Sequence, residues 1–369
     1  MATGSGKTKV MSLAIAWHYL NALLETENPH PSTFLVIAPN VIVFERLQRD
    51  FRNGAIFKTD PVIPPQLQTY WDLDCYVRGE GERAHSSGAL YLTNIQQLYE
   101  RKERDSGESD PLAAVLGASP KPGSSGGSDE FFDRIVKRDE LVLVINDEAH
   151  HTHDEESEWM RSIRRLHGRA PLAGQLDFTA TPRFQDGKLF PWVVSDYPLA
   201  NAIRDGIVKR PLKGVVLDAH EAQSDNAATR YGQYLVAGVE RWNEYREELQ
   251  PLAKKPILFV MLNTTGEVDE VVEWLQKQYP SEFGAEKTLA IHVNIKKGDE
   301  LGGETGGVTG KDLAAARKFA EEVDLGTSPV NAVVSVLMLR EGWDVRNVCV
   351  VVTLRSLTAK AKILPEQAL

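Results

Sequence analysis

The stretch MATGSGKT, Met1 to Thr8, and the stretch INDEAHH, Ile145 to His151, decide the fold of this chain. Glycines let the backbone curl so that consecutive N–H groups face phosphate oxygens, and the helix that follows presents its positive N-terminal end. An apolar strand that ends in Asp-Glu delivers a carboxylate to the metal beside such a loop. The two motifs in this order therefore predict a P-loop nucleotide site.

The first motif supplies the phosphate-binding loop. Met1 stands where the general pattern has its first glycine, so the match is partial at that end. We expect Gly4, Ser5 and Gly6 to wrap the phosphates of ATP. Lys7 would reach the β- and γ-phosphates, and the Thr8 hydroxyl would bind Mg²⁺. On its own, the motif is also compatible with a glycine-rich helix start.

The second motif supplies the carboxylates of hydrolysis. Asp147 would hold Mg²⁺, directly or through water. Glu148 would orient and deprotonate the attacking water, which requires a carboxylate within hydrogen-bond reach. The acidic box alone could also be a solvated helix start, but the pair of motifs favours catalysis by Lys7, Asp147 and Glu148.

The histidines in and after the acidic box raise a zinc hypothesis, because imidazoles and carboxylates are zinc ligands. The candidates are His150, His151, His153 and Asp154. Their spacing is not that of a helical His pair, and His150 already belongs to the acidic box. We therefore expect the others to be exposed loop residues.

Short apolar runs alternate with helical patterns along the chain, which indicates parallel β-α units. A first set of strands is predicted near Phe34 (FLVIAP), Leu90 (LYLTN), Leu141 (LVLVIN) and Leu176 (LDFTAT). A second set is predicted at Gly214 (GVVLDA), Pro256 (PILFVML), Thr288 (TLAIHV), Asn331 (NAVVSVLML) and Val348 (VCVVVTL). The fold class is therefore α/β, with two tandem lobes that each contain a parallel sheet.

The length supports the same division, because 369 residues exceed what one hydrophobic core usually organises. We place the first lobe at 1–196 and the second at 197–369. The segments expected outside the sheets are a flexible surface insertion (about 101–130), an interlobe connection (Tyr197–Leu212), a long amphipathic helix (Tyr231–Leu252) and a glycine-rich loop (Gly298–Gly310).

Composition excludes several classes of protein. Apolar residues make up 42% of the chain and charged residues 25%, values of folded globular proteins rather than disordered ones. The net charge of −10 means that nucleic acid must be bound by local patches or backbone amides. Cys75 and Cys349 are far apart in sequence, which favours a reducing compartment, the cytoplasm. The apolar runs are strand-sized and predict no membrane span.

With MATGSGKT, INDEAHH and FTATPR in order, the chain resembles the superfamily 2 helicases of the DEAD/DEAH type. The segment LREGWDVRNV makes it most similar to the helicase (Res) subunit of type III restriction enzymes. The resemblance covers nearly the whole chain. It implies two RecA-like P-loop NTPase lobes that close on ATP and Mg²⁺, and a nucleic-acid-dependent ATPase that moves on duplex DNA. A separate subunit would recognise or methylate the DNA site.

The resemblance also implies roles for residues outside the nucleotide motifs. Residues that couple hydrolysis to movement would be His150, Thr179 and Thr181. Residues that contact the nucleic-acid backbone would be Pro39, Asn40, Thr93, Asn94, Asn263 and Thr264. Gly342 and Asp344, in the fifth motif, would lie near the ribose. As isolated tripeptides, the strand-end segments are also ordinary loop starts, and Trp343 between the last two residues could be a core residue.

Both ends depart from the family pattern. The chain begins at the P-loop without the strand that usually feeds it, and Gln367 resembles the first residue of a sixth motif whose arginines complete the ATP site. We therefore expect a fragment with a C-terminally incomplete second lobe and slow ATP turnover by itself. The sequence contains no convincing nuclease cluster.

Two other kinds of function stay open, and a third is disfavoured. A non-cycling module that binds DNA in an ATP-dependent way needs the same motifs without turnover. An RNA helicase or a DNA-repair helicase would share the superfamily but not the substrate. A P-loop kinase is disfavoured, because a small-molecule phosphotransferase has no need of FTATPR or REGWD.

Overall fold

The computed structural model describes residues 1–25, 27, 29–39, 41–77, 86–95, 128–151, 158–183, 188–291, 293–294, 307–308, 322, 328–336, 345 and 347–354. The chain forms two compact units, and among these residues the first unit ends at Pro211 and the second begins at Leu212. The sequence placed the boundary after Asp196. The segment that follows packs with the first unit instead, because Tyr197 O accepts a hydrogen bond from Ala2 N at 2.8 Å.

The first unit is built on a five-stranded parallel sheet with strand order β2-β3-β1-β4-β5. The strands are β1 (Thr33–Ala38), β2 (Leu73–Val77), β3 (Gly88–Asn94), β4 (Val142–Asp147) and β5 (Leu172–Phe178). All residues of β1, β3 and β4 are buried, whereas β5 is mostly half-buried at the edge. Continuous apolar runs are what a parallel sheet covered on both faces requires.

Helices on both faces complete the first unit: α1 (Lys7–Leu24), α2 (Val41–Phe51), α3 (Ala55–Thr59), α4 (Ser128–Lys137), α5 (Glu158–His167) and α6 (Leu199–Arg204). Short 3₁₀ turns lie at Arg52–Gly54, Pro65–Tyr70 and Ala149–His151. Helix α1 buries Met11, Ile15 and Tyr19, which lie four residues apart on one helical face. Burial of that face fixes the helix that follows the P-loop against the sheet.

The second unit contains a four-stranded parallel sheet with strand order β11-β6-β10-β7 and a separate two-stranded antiparallel pair, β8-β9. Its strands are β6 (Ile257–Met261), β7 (Thr288–Ile291), β8 (Val293–Asn294), β9 (Gly307–Val308), β10 (Ala332–Ser335) and β11 (Val348–Thr353). Its helices are α7 (Ala227–Arg230), α8 (Gly232–Leu249), α9 (Thr265–Gln278) and α10 (Pro280–Phe283), with a 3₁₀ turn at Gln250–Leu252. Trp242 of α8 is buried in the core and donates to Pro256 O at 2.9 Å.

The two parallel sheets confirm the predicted α/β fold class. Helix α8 with its 3₁₀ turn occupies the segment predicted as a long helix. The prediction of a strand at Gly214 is wrong: the residues there form no strand, and Val215 and Leu217 are 70% and 83% exposed. An apolar run without a sheet neighbour has no partner for its backbone, so local sequence alone does not make it a strand.

Two predicted loops can be compared with the structure only in part. Residues 101–127 of the predicted insertion at 101–130 lie outside the described residues, and α4 begins at Ser128. Of the predicted glycine-rich loop, only Gly307 and Val308 are described, as β9. Within the described part of the chain, no helix is long and apolar enough to span a bilayer.

Candidate nucleotide and nucleic-acid site

The P-loop adopts the backbone that its glycines permit. Gly4 and Gly6 have φ angles of +75° and +92°, in the left-handed region that is costly for other residues. Gly6 is the N-cap of α1, and no side chain caps that first turn. The Ser5 hydroxyl donates to Ala2 O at 2.6 Å and closes the loop on itself. The arrangement leaves the positive end of a long helix available to an anion.

The P-loop lysine meets the acidic box. Lys7 Nζ lies 2.5 Å from Glu148 Oε1, and the two side chains are only 7% and 12% exposed. Lys7 and Glu148 are 141 residues apart in sequence, so only the fold brings them together. The structure thus places the predicted phosphate-binding cation beside the predicted catalytic carboxylate.

Asp147 is the most deeply buried charge of the site, with no exposed side-chain surface. Its Oδ2 accepts from Arg46 Nη2 at 2.7 Å, and its Oδ1 accepts from Glu148 N at 3.0 Å. Burial raises the pKa of the Asp147 carboxyl, and the charge of Glu148 raises it further, against the opposing effects of Arg46 and Lys7. The positive charges of Arg46 and Lys7 therefore do not fully offset the free-energy cost of burying the ionised Asp147 carboxyl.

Arg46 was not foreseen from the sequence. It lies on α2, where Val43 and Leu47 are fully buried and Arg46 is only partly exposed. The one available signal was helical periodicity, because a residue three positions after Val43 borders the buried face. That signal places an arginine near the core, but it cannot name the partner.

Glu148 has a strained backbone. Its φ is +49°, and the left-handed region costs a residue with a side chain about 1–2 kcal/mol. Backbone strain of this kind persists where surrounding contacts enforce it, and it is concentrated at functional sites. Here the Lys7 ion pair and the bond from Glu148 N to Asp147 hold the residue in place.

Three predicted coupling residues form a chain of contacts that starts at the acidic box. His150 Nδ1 lies 3.7 Å from Glu148 Oε2 and 3.0 Å from Thr179 Oγ1. Thr179 Oγ1 also accepts from Thr181 N at 3.0 Å. Thr179 and Thr181 are 7% and 4% exposed. The imidazole of His150 therefore connects the Glu148 carboxylate to Thr179 of the FTATPR segment.

The zinc hypothesis gains no support in the described residues, which contain no group of three or more side chains suited to a metal. His153 and Asp154 lie outside them, as does the side chain of His151. His150 is instead in contact with Thr179, as described above.

A second residue that sequence reasoning missed fixes the end of β4. Asn146 Nδ2 donates to Asp177 Oδ1 at 2.7 Å, and its Oδ1 accepts from Trp159 Nε1 at 3.0 Å. Asn146 is fully buried, so these bonds satisfy an amide that water cannot reach. They hold the strand end that carries Asp147.

The predicted nucleic-acid residues of the first unit lie at adjacent strand ends. Ala38 of β1 pairs with Asn94 of β3, so Pro39 and Asn94 are both at the carboxyl edge of the sheet. Thr93 and Asn94 are buried, with 0% and 3% exposure. Asn40 lies outside the described residues.

The predicted nucleic-acid residues of the second unit have a local structural role. Thr264 is the N-cap of α9, and its hydroxyl accepts from Glu267 N at 3.3 Å. Glu267 Oε2 accepts in return from Asn263 N and Thr264 N, at 2.9 and 3.0 Å. This is a capping box, and it uses the Thr264 hydroxyl and the backbone N–H groups of Asn263 and Thr264. Gly342 and Asp344 lie outside the described residues.

The first unit fits ATP with Mg²⁺. A helix N-terminus without a side-chain cap and the Lys7 ammonium match a polyphosphate. Mg²⁺ prefers oxygen ligands, and the Thr8 hydroxyl and Asp147 carboxylate are oxygen donors. A buried carboxylate with a raised pKa is also a group that a divalent cation would stabilise.

One comparison with known proteins, a match to a family model, agrees with the motifs. The family model described as type III restriction enzyme, res subunit, matches residues 1–184. No curated protein sequence matches the chain. The structure of S. cerevisiae Dbp5 bound to RNA and ADP BeF3 matches with 14% identity over 95% of this chain and 68% of that chain, at a TM-score of 0.37. Because that score is low, the fold assignment rests on the two parallel sheets.

The matched residues contain both nucleotide motifs and the FTATPR segment. Residues 1–184 are therefore a match to the res subunit family of type III restriction enzymes, which is a family of helicase superfamily 2.

Proposed function

We propose that this chain hydrolyses ATP and uses the reaction to move on duplex DNA, as the motor of a type III restriction-type enzyme. One observation carries the proposal: Lys7, Glu148 and Asp147 converge at one strand end. From there, His150 reaches the FTATPR segment.

Different residues at the carboxyl edge bind the phosphates, bind the metal and accept the proton of water in the proposed hydrolysis. The loop from Gly4 to Thr8 binds the phosphates, and Thr8 and Asp147 hold Mg²⁺, which neutralises phosphate charge when it is bound. Lys7 exchanges its contact with Glu148 for the β- and γ-phosphates, and this frees the carboxylate. Glu148 then takes the proton of the attacking water, whose oxygen bonds to the γ-phosphorus while the bond to the ADP oxygen breaks.

Movement requires that hydrolysis changes contacts with nucleic acid. His150 is the proposed relay, because it contacts both the catalytic carboxylate and Thr179. A chain with a net charge of −10 is expected to bind a phosphate backbone through amides and short polar side chains. The residues proposed for that contact are Pro39, Asn40, Thr93, Asn94, Asn263 and Thr264, with Gly342 and Asp344 proposed near the ribose.

The direct test is the rate of ATP hydrolysis with and without duplex DNA. Lys7→Ala and Glu148→Gln should each reduce DNA-stimulated turnover by roughly 10²-fold or more. Matched controls are Lys277→Ala and Glu273→Gln, which remove an exposed ion pair of α9 at 2.6 Å and should leave the rate unchanged. DNA-stimulated turnover in Glu148→Gln at the wild-type rate would contradict the proposal.

The nucleic-acid substrate needs a separate experiment. Duplex DNA, single-stranded DNA and RNA of equal length should be compared at one salt concentration, because such affinities depend strongly on salt. The proposal expects the largest stimulation by duplex DNA, with site recognition by a separate subunit. Greater stimulation by RNA would identify an RNA helicase. The wide sequence separation of Cys75 and Cys349 supports the further proposal of a reducing compartment such as the cytoplasm.

One observation favours a second candidate, a module that binds ATP without turnover. Both carboxylates of the acidic box are paired with cations of the chain itself, Lys7 and Arg46. A single-turnover measurement separates the two functions. Phosphate release in the first turnover supports the motor, whereas tight Mg·ATP binding without release supports the binding module.

A further inference from the structure

The Arg46–Asp147 pair occupies the position where the proposed function needs a metal. Arg46 Nη2 and Glu148 N each bond to a different oxygen of the Asp147 carboxylate. Mg²⁺ prefers near-ideal octahedral coordination and would require one of these oxygens, directly or through water. Each carboxylate oxygen has a second lone pair, but a guanidinium in contact with the buried carboxylate and a divalent cation bound to the same carboxylate would repel each other strongly. The observed contact and a metal-bound Asp147 are therefore alternatives.

Arg46 is held in a way that permits exchange. Its side chain is 23% exposed, whereas that of Asp147 has no exposed surface. Its Nε is buried and has no hydrogen-bond partner among the described residues. A buried donor without an acceptor costs free energy, so the guanidinium is not in an optimal structural position. Its exposed side gives it a route to solvent.

The buried Asp147 carboxylate nevertheless requires a cation beside it. An isolated ionised carboxylate in the interior is unfavourable, and removing one partner of a buried ion pair leaves an uncompensated charge. Arg46 supplies that compensation when no metal is bound. It also fixes one oxygen of the Asp147 carboxylate by a hydrogen bond of 2.7 Å.

We propose that Arg46 is a positioning residue that holds Asp147 in place of the metal and leaves the carboxylate when Mg·ATP binds. The proposal rests on the proposed ATPase function. It means that Arg46 and Mg²⁺ compete, so the apparent affinity for Mg²⁺ is lower than Asp147 alone would give. Arg46 thereby sets the Mg²⁺ concentration at which the site becomes competent.

The test measures binding rather than hydrolysis. A fluorescent, non-hydrolysable mant-ATP analogue is titrated with Mg²⁺, and the Mg²⁺ concentration for half-maximal binding is compared between the wild type and Arg46→Met. Competition predicts a decrease of about tenfold in that concentration, which is the scale of one lost hydrogen bond to a charged group. Binding of the analogue in EDTA reports any loss of charge attraction separately.

Two further variants make the result specific. Arg46→Lys keeps the charge but loses the planar fork, and should give a value between those of the wild type and Arg46→Met. Arg49→Met removes an exposed arginine from the same helix and should behave as the wild type. Circular dichroism and thermal melting verify that each variant is folded, and Arg46→Lys carries the test should Arg46→Met not fold.

A purely structural role predicts the opposite direction. If Arg46 only kept Asp147 in place, its loss would disorder the carboxylate and raise the Mg²⁺ requirement. An unchanged or increased requirement in Arg46→Met, or in Arg46→Lys as its substitute, therefore overturns the inference and leaves the ATPase proposal standing. A wild-type chain that binds the analogue neither with Mg²⁺ nor in EDTA overturns the ATPase proposal itself.

Discussion

The amino edge and the carboxyl edge of the first sheet each carry an arginine–carboxylate pair. At the amino edge, Arg138 Nε lies 3.2 Å from Glu140 Oε2. At the carboxyl edge, Arg46 Nη2 lies 2.7 Å from Asp147 Oδ2. The two pairs have the same chemistry, but their surroundings differ. The amino-edge pair is suited to stabilising the fold, and the carboxyl-edge pair is suited to the proposed function.

The amino-edge pair is surrounded by polar partners. Glu140 Oε2 also accepts from Ser32 Oγ at 2.7 Å and from Thr33 Oγ1 at 2.5 Å. Arg138 Nη2 donates to Ser86 O at 2.8 Å. These bonds join the starts of β1, β3 and β4. A network in which each member has partners holds the strands in one arrangement.

The carboxyl edge leaves groups unsatisfied and strained. Arg46 Nε and Thr181 Oγ1 are buried without hydrogen-bond partners among the described residues. Glu148 has a left-handed backbone, and Asp147 has a raised pKa. Such costs are expected where a site is arranged for a ligand rather than for stability.

The largest expected contrast comes from neutralising one glutamate at each edge. Glu148→Gln should reduce ATP turnover by roughly 10²–10⁴-fold, because it removes the proposed general base. Glu140→Gln should keep turnover but lower the melting temperature. Steady-state phosphate release and thermal melting of both variants measure the contrast. Equal losses of activity in the two variants would break the comparison.

The second contrast concerns stability. Arg138→Met should lower the free energy of unfolding by about 2 kcal/mol, because it leaves Glu140, Ser86 and Thr33 without a shared donor; the value is below that of a fully buried pair since Glu140 is 24% exposed. Urea unfolding gives the measurement. Nucleotide binding should be unaffected at native conditions. Loss of ATP binding in a folded Arg138→Met protein would show that the edges are not separate.

A smaller effect follows from the pKa of Asp147, which is raised in the folded state above its ordinary value of 3.8. In the pH window just above 3.8, the folded state binds more protons than the unfolded state, so the free energy of unfolding falls as pH rises. Asp147→Asn removes this dependence. Unfolding from pH 4 to 7 should therefore show the wild type losing stability relative to Asp147→Asn as pH rises. A difference that is constant with pH would refute the raised pKa.

The smallest effect is expected at Thr181, whose hydroxyl oxygen is buried without a partner. Thr181→Val keeps the shape and removes the unsatisfied group, so the free energy of unfolding should stay the same or rise by up to about 1 kcal/mol. The hydrogen bond that the backbone N–H of Thr181 donates to Thr179 Oγ1 is retained in this variant. A clear loss of stability would mean that the hydroxyl has a structural partner.

Features encoded within a few adjacent residues could be predicted from the sequence. Gly4 and Gly6 require a left-handed backbone, and the P-loop pattern states that requirement directly. The run before Asp147 is apolar throughout, as a strand buried on both faces must be. Motif order then placed Lys7 near Glu148, although no local rule gives their distance.

Features that depend on distant partners could not be predicted. Arg46 is one of several charged residues on an amphipathic helix, and only the fold reveals that it meets Asp147. The apolar run at Gly214 has the composition of a strand but no neighbouring strand. Thr264 is assigned to nucleic acid from the family resemblance, and Glu267 three residues later is in addition a local helix-cap signal that the structure shows in use.

Hydrogen–deuterium exchange with and without Mg·ATP tests the central claim most directly, because it follows both edges of the sheet in one experiment. The account predicts slower exchange in the P-loop, the acidic box and the FTATPR segment, with no change around Arg138 and Glu140. Protection that is absent from the P-loop and the acidic box, or that is concentrated at the amino edge, would contradict the assignment of the carboxyl edge as the nucleotide site.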